Sequence, residues 1–341
     1  MNGNCSFVNN FVGNAVLKAV LITKVSVLPI GIIFYALFGW SMCYHRNINI
    51  LIISSHTFTI VYSIFAFATT FDEIIRFSQE HKNLCDYGIP IGRAMPFMLP
   101  NNFAYTGLLI SLSCMCAERC FASWYFRKYE QWGRTLGVIL FTALILLTSA
   151  CTYLNFIWPY WSSTSEPTLR TLVISRMNLT TLSITNHVLT GSTTVALIIF
   201  HFLLWFNRRY RTIHIDVSSK YQMTENIKTI EVLLPMVWTH YICFLPSLVN
   251  ILLPTLNGFN PELTYTTAYV YEICDTIVLY PVILPIVLFF NNPVLRSNCL
   301  QLIKCKKSRV NLNSKVVNEH LTTVDHIKAL QDMWSVVERK K

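Results

Sequence analysis

The sequence predicts an all-α fold, a bundle of seven membrane-crossing helices, and three observations carry that prediction. Seven apolar stretches lie along the 341 residues, separated by short polar connections. Each is close to the twenty or so residues that a helix rising about 1.5 Å per residue needs to cross roughly 30 Å of hydrocarbon. Composition agrees, with 53% of residues hydrophobic and only 13% charged, about half the charged share of a typical soluble domain. Lipid offers backbone N–H and C=O groups no partner, so each crossing must be a helix that bonds internally.

The stretches run Val25–Cys43, Ile48–Thr70, Leu99–Ala117, Leu136–Trp158, Ser183–Phe206, Ile230–Leu253 and Thr266–Phe290. They divide the chain into an outer N-terminal segment 1–24, a helical domain 25–290 and an inner tail 291–341. Residues 1–24 lack the basic start, apolar core and small-residue cleavage site of a removed leader, so the first helix is expected to act as its own insertion signal. With helices claiming most of the length, no separate soluble catalytic domain fits.

Charge orients the bundle. With the N-terminus outside, twenty of the 27 basic residues fall on the inner side, including Arg119, Arg127, Lys128, Arg134, Arg208, Arg209 and Arg211. Positive residues resist translocation and meet anionic lipid on the cytoplasmic face. The net charge of +10 is thus a topology signal and membrane lipid its counterpart; nucleic acid is not an expected partner. The glycosylation sequons Asn4-Cys5-Ser6 and Asn178-Leu179-Thr180 both fall outside in the same arrangement.

Eleven cysteines are present, and seven of them (Cys43, Cys114, Cys116, Cys120, Cys151, Cys243, Cys274) sit in or at the ends of the stretches. There a thiol acts as a small apolar side chain. No metal-ligand spacing appears, and no metal or cofactor is expected. Cys5 and Cys85 fall on the oxidising outer side, where they could pair or stay as two thiols. Cys299 and Cys305, just past the last helix, are candidates for palmitoylation.

Polar side chains inside membrane helices each need a reason. The third stretch ends in Glu118-Arg119, an acid–base pair at the inner mouth of a central helix. It could hold a closed state through charge-assisted bonds and release the arginine when helices move, or simply mark where the helix leaves lipid. The aromatic and basic run from Trp124 to Glu130 suits the headgroup level. In the sixth stretch Pro246 follows Cys243-Phe244-Leu245 and bends the helix, either as a hinge or as a static kink. His240, Phe244 and Ser247 share a face there.

In the seventh stretch Tyr265, Tyr269, Glu272 and Thr276 share a face with Asp275 beside it. Glu272 and Asp275 could contact a cationic ligand, or pair with Arg93, His187 or His240 in a structural network. Tyr280-Pro281 and Pro285 make the inner half of this helix irregular. Pro293 can then start a short amphipathic helix at the membrane surface. Apolar residues from Val317 to Trp334 repeat at helical spacing.

No catalytic constellation accompanies these features, so no enzyme is expected. There is no phosphate-cradling glycine loop, no Gly-x-Ser-x-Gly and no His-Glu-x-x-His. No repeat relates the first three helices to the last three, which disfavours a duplicated transporter. A ligand-gated channel subunit of the insect odorant type would place the N-terminus inside, against charges and sequons.

Three blocks resemble a known family. Ala117-Glu118-Arg119-Cys120-Phe121-Ala122-Ser123 with Lys128-Tyr129-Glu130 is similar to the third-helix signature of nematode serpentine chemoreceptors of the Sra superfamily. Ser219-Lys220-Tyr221-Gln222-Met223-Thr224-Glu225-Asn226-Ile227 is similar to the block before the sixth helix in the same group, and Glu319–Trp334 to the class e ending. Class e is the nearest likeness; classes b and ab share the first two blocks.

The resemblance implies a G-protein-coupled receptor for environmental small molecules in sensory neurons, in the plasma membrane and at the sensory cilium, with a heterotrimeric G protein as partner and a dimer as a possible assembly. By position, Glu118 and Arg119 would be its inner switch. Cys243-Phe244-Leu245-Pro246 would be its hinge, with Phe244 where rhodopsin-like receptors carry tryptophan. Tyr280-Pro281 stands where Asn-Pro-x-x-Tyr is usual, without the asparagine or the later tyrosine. The outer loop between helices four and five has no cysteine, so the usual bridge to helix three cannot form. A ligand pocket in the outer half is expected from Tyr105, His187, His240, Tyr241, Tyr269 and Glu272, chosen by depth and polarity.

Overall fold

Seven helical segments account for nearly all the described residues of the computed structural model, which are 13–39, 46–81, 87, 91–129, 132, 134–158, 179–213, 217–257, 272–292 and 296–297. All but Ser297 belong to the first of two units, Met1–Arg296; the second is Ser297–Lys341. No strand occurs among the described residues. The long helices are α1 Ala15–Gly39, α2 Arg46–Ser78, α3 Ile91–Trp124, α4 Thr135–Thr152, α5 Leu179–Ile213 and α6 Val217–Asn257. The last element, α7, is Tyr280–Asn291, preceded by a 3₁₀ turn over Thr276–Leu279.

Several helices run further than the apolar stretches. The first starts at Ala15, ten residues before the expected Val25, and the second ends at Ser78, not Thr70. Helix α6 begins at Val217, thirteen residues ahead of Ile230. Hydropathy marks only the part of a helix that must meet lipid, whereas backbone bonding continues as long as polar side chains find partners. The extension of α2 has them: Arg76 donates from Nε to Asp72 at 2.8 Å and also reaches the Tyr87 carbonyl, while Asp72 accepts from Arg93 at 3.3 Å.

Among the described residues, five helices are long and apolar enough to cross a membrane: Ala15–Ala36, Ile48–Ser78, Thr135–Ile157, Ile184–Arg211 and Lys220–Pro246. Helix α3, with 34 residues, is longer than each of these spans but is not among them, because polar side chains interrupt its apolar run. It packs against α2, α4, α5 and α6 and buries Asn101, Thr106, Ser111, Glu118, Arg119 and Ser123. A helix touching protein on most sides need not be apolar. Conversely α4, packed mainly on α2 and α3, leaves Ile139, Leu146 and Leu147 exposed.

The ring closes through α1, which contacts α2 on one side and α7 on the other, and α7 in turn meets α6. Small residues set two of these approaches. A Cβ on Gly31 of α1 would stand 2.6 Å from the Cβ of Pro281 on α7, and one on Gly107 of α3 would stand 2.7 Å from the ring of Phe58 on α2. Close backbone approach of this kind is how membrane helices gain dispersion contacts without a hydrophobic drive.

The seventh element departs from the expected uninterrupted helix over Thr266–Phe290. Residues 272 and 273 are helical, 274 turns, and Asp275 has φ −73° and ψ 69° before the 3₁₀ turn. The amphipathic helix expected after α7 lies outside the described residues except for 296 and 297, as does the periodic stretch 317–334.

Candidate functional site

At one end of the bundle, Arg119 is closed into a buried cluster. Its Nη2 donates to Glu118 Oε1 at 2.5 Å, and its Nε reaches Glu118 Oε2, a two-pronged pairing between consecutive residues. Arg119 and Glu118 are 1% and 0% exposed. A guanidinium removed from water requires such charge-assisted bonds, since its desolvation otherwise costs several kcal/mol. Two further side chains complete the set. Nη2 also donates to the Tyr129 hydroxyl at 3.2 Å, that hydroxyl donates to Glu118, and Nη1 donates to Asn226 Oδ1 at 3.3 Å.

Tyr129 reaches inward because the chain turns after α3 into the short helix Phe126–Tyr129, and its ring packs with Ala122, Leu136 and Leu140. Asn226 comes from α6, and its Nδ2 donates to the Ala122 carbonyl of α3 at 2.9 Å. The tie between α3 and α6 here is therefore an amide, carrying no charge of its own. Helix α5 is joined to the same end of α3 by Asn207, whose Nδ2 donates to Ser123 Oγ at 2.8 Å.

Deeper in the bundle lies a stack of rings. Tyr105 of α3 is near-parallel to Phe244 of α6, with centroids 5.5 Å apart and planes at 16°; Phe244 in turn covers His240 at 3.9 Å and 13°. Tyr280 of α7 stands edge-on to both, 5.3 Å from His240 and 5.8 Å from Phe244. Offset and edge-on pairs of this kind align ring edges with ring faces and add to the energy of burial. Three helices thus meet at one aromatic node. Pro246 lies two residues beyond Phe244, within α6.

A third cluster joins α1 to the break ahead of α7. Lys24 Nζ lies 2.7 Å from Glu272 Oε2 and 2.9 Å from Asp275 Oδ2. The three side chains are 6%, 3% and 7% exposed. The carboxylates flank the turn at Cys274, so one ammonium spans the interruption. One residue on, the Thr276 hydroxyl donates to the Cys243 carbonyl at 2.6 Å, which fastens the 3₁₀ turn to α6 beside the aromatic node.

The expected site residues separate accordingly. Glu118 and Arg119 come together; so do Tyr105, His240, Phe244 and Tyr280, while Pro281 packs on Gly31. Glu272 pairs with Lys24, and Arg93 instead meets Asp72. His187 lies on the exposed face of α5 with Ile184 and Val188, apart from the node. Tyr241 turns to Trp238 with centroids 6.4 Å apart, because the residue after His240 is rotated about 100° around the helix. Tyr269, Asn4, Asn178, Cys5, Cys85, Cys299 and Cys305 lie outside the described residues. Among the described residues no group of three or more His, Cys, Asp or Glu could hold a metal.

Lys24, Tyr129 and Asn226 are the residues that sequence reasoning did not place in a site. Tyr129 and Asn226 stood inside the two most distinctive blocks, and Lys24 was the cation closest to an apolar run whose counterpart held two unexplained carboxylates.

The family model described as serpentine type 7TM GPCR receptor class ab chemoreceptor matches residues 2–312. A curated relative, Serpentine receptor class beta-17 from Caenorhabditis elegans, is 26% identical over 287 residues, covering 77% of this chain and 73% of the relative. These matches fall on classes ab and beta; the nearer likeness to class e is not confirmed by them. Both are serpentine receptors. Together with the apolar helices they make the chain a multi-pass membrane protein with a receptor's role, not an enzyme's, and with a ligand and a G protein as partners in general. The chain belongs to the serpentine class ab family of seven-helix G-protein-coupled chemoreceptors.

Proposed function

We propose that this receptor sits with its N-terminus outside the plasma membrane, binds an environmental small molecule in the outer half of the bundle, and signals by moving α6 away from α3 at Arg119. The observation that carries this reading is the Asn226–Arg119 contact. At 3.3 Å between an amide oxygen and a guanidinium, it is the longest bond in the cluster. Arg119 keeps its two-pronged hold on Glu118 within α3 when α6 leaves, so opening costs the two hydrogen bonds of the Asn226 amide, to Arg119 and to the Ala122 carbonyl, and not a buried ion pair. A G-protein element then enters beside Arg119, and a ligand that binds the open state better shifts the population toward it.

Tyr105, His240, Phe244 and Tyr280 would carry the ligand's effect to Pro246, with Glu272 and Tyr269 nearer the outer surface. Asn4 and Asn178 would bear glycans, Cys5 and Cys85 a possible disulfide, and Cys299 and Cys305 acyl chains that hold the tail to lipid. A sensory-neuron cilium is the expected location, and dimer formation is a further expectation. The test is Arg119→Ala, scored for surface protein and for G-protein activation in the same cells. Signal lost with surface protein retained supports the reading; equal loss of both makes Arg119 a purely structural residue.

A further inference from the structure

The connection between α3 and α4 carries a cluster of rings on its outer side. Phe121, Tyr125 and Trp132 each meet the other two, with centroids 6.3 Å apart for Phe121–Tyr125, 6.2 Å for Phe121–Trp132 and 5.9 Å for Tyr125–Trp132. All three are exposed, and so is Trp124. Lys128 and Arg134 of the same connection are exposed as well. Residues 121–134 hold three basic side chains, Arg127, Lys128 and Arg134, against the single acid Glu130.

Depth says what meets this surface. The exposed apolar side chains of α4 begin at Val138 and Ile139. Val138 is one helical turn past Arg134 and donates its N–H to the Arg134 carbonyl at 3.1 Å. Arg134 thus stands about 6 Å short of the first tail-facing side chain. That is headgroup depth, where Tyr and Trp rings rest an apolar body on acyl chains and keep a polar tip in water. Exposed Lys and Arg at that depth meet phosphate, and their excess positive charge selects an anionic headgroup.

The inner side of the same turn belongs to the Arg119 cluster. Tyr129 is buried with Ala122 and Leu136, and its hydroxyl donates to Glu118 and accepts from Arg119. The Tyr125 carbonyl accepts from the Lys128 N–H at 2.8 Å and from the Tyr129 N–H at 2.9 Å. One turn of backbone therefore carries an exposed ring, an exposed ammonium and a buried hydroxyl of the switch.

We propose that the α3–α4 connection is a docking surface for an anionic phospholipid headgroup of the inner leaflet. Lipid seated on Lys128, Arg134 and the three rings holds Tyr129 in the Arg119 cluster and so favours the closed state. The surface follows from exposure and charge; its leaflet and its effect rest on the receptor reading above.

The test uses the full chain in phosphatidylcholine nanodiscs with a trace of photoreactive lipid, either phosphatidylserine or phosphatidylcholine, carrying a diazirine near the glycerol end of one acyl chain. The serine probe should label the peptide 121–134 roughly tenfold more than the choline probe. The double variant Lys128→Gln, Arg134→Gln should lose that preference, and the tail variant Lys306→Gln, Lys307→Gln should keep it. Equal labelling by the two probes, an unchanged preference in the first variant, or its loss in both variants would overturn the surface. Ligand-free nucleotide exchange on a heterotrimer reads the effect. In phosphatidylserine discs the Lys128→Gln, Arg134→Gln receptor should exchange faster than wild type, and in phosphatidylcholine discs the two should match. Slower exchange by the variant in both lipids would make the G protein the occupant, and equal exchange in phosphatidylserine would overturn the hold on Tyr129. Selective labelling with no exchange by wild type at all sinks the receptor mechanism and leaves the lipid surface standing.

Discussion

Lys24 and Glu272 are 248 positions apart in the chain and 2.7 Å apart in the fold, both buried. With Asp275 they form a site of one ammonium and two carboxylates that binds α1 to the interrupted start of α7. The third group matters because removal of the ammonium leaves two buried carboxylates facing each other.

Lys24→Met should therefore destabilise the protein by on the order of 3–5 kcal/mol, the usual cost of removing one member of a buried ion pair. The triple variant Lys24→Met, Glu272→Gln, Asp275→Asn should regain most of that loss. Thermal unfolding of the solubilised receptor measures both. A single variant as stable as wild type would show that the carboxylates have another cation.

The amide tie at Arg119 makes the resting state easy to loosen or tighten from α6. Asn226→Ala should raise basal G-protein activation, and Asn226→Asp should lower it by setting a carboxylate, in place of an amide oxygen, against the Arg119 guanidinium. Nucleotide exchange without any ligand reads both variants. Identical basal rates across the three proteins would remove Asn226 from the switch.

Tyr129→Phe deletes one hydroxyl that donates to Glu118 and accepts from Arg119, and keeps the ring against Ala122 and Leu136. Hydrogen bonds to charged groups contribute about 1.5–3 kcal/mol each. A melting temperature lowered by several degrees, with surface expression reduced in step, is the expected outcome. An unchanged melting temperature would make the hydroxyl incidental to the cluster.

Glycines separate by neighbourhood. Gly31→Ala brings a Cβ to 2.6 Å from Pro281 Cβ, whereas Gly191→Ala on α5 meets nothing within 4 Å. The first should cost about 1–3 kcal/mol through overpacking. The second should gain up to about 1 kcal/mol from helix propensity. Comparing the two unfolding curves checks the α1–α7 contact directly, and equal behaviour would place α1 farther from α7 than described.

The bundle was legible because its cause is local. Twenty apolar residues in a row announce a crossing wherever they occur, and the order of seven crossings follows without tertiary information. Glu118-Arg119 was legible for the same reason, being two charged neighbours at the end of an apolar run. Lys24 was not, since its value depends on carboxylates at the far end of the chain and hydropathy placed it one residue outside the first crossing. The break at Cys274–Asp275 left no mark either, because the apolar spacing of a straight helix continues through it. His187 and Tyr241 were selected by polarity and depth, whereas the direction of a side chain around its helix depends on packing.

The central claim is that α6 separates from α3 at the Arg119 end when a G protein binds. Trp124 on α3 and Lys228 on α6 are both exposed there, and the chain's eleven cysteines argue for spin labels carried on unnatural amino acids at these two positions. Electron-electron distance distributions would be recorded for the full chain in nanodiscs, alone and with a nucleotide-free heterotrimer. A new, longer-distance population on G-protein binding is the predicted result. An unchanged distribution while the heterotrimer is demonstrably bound would contradict it.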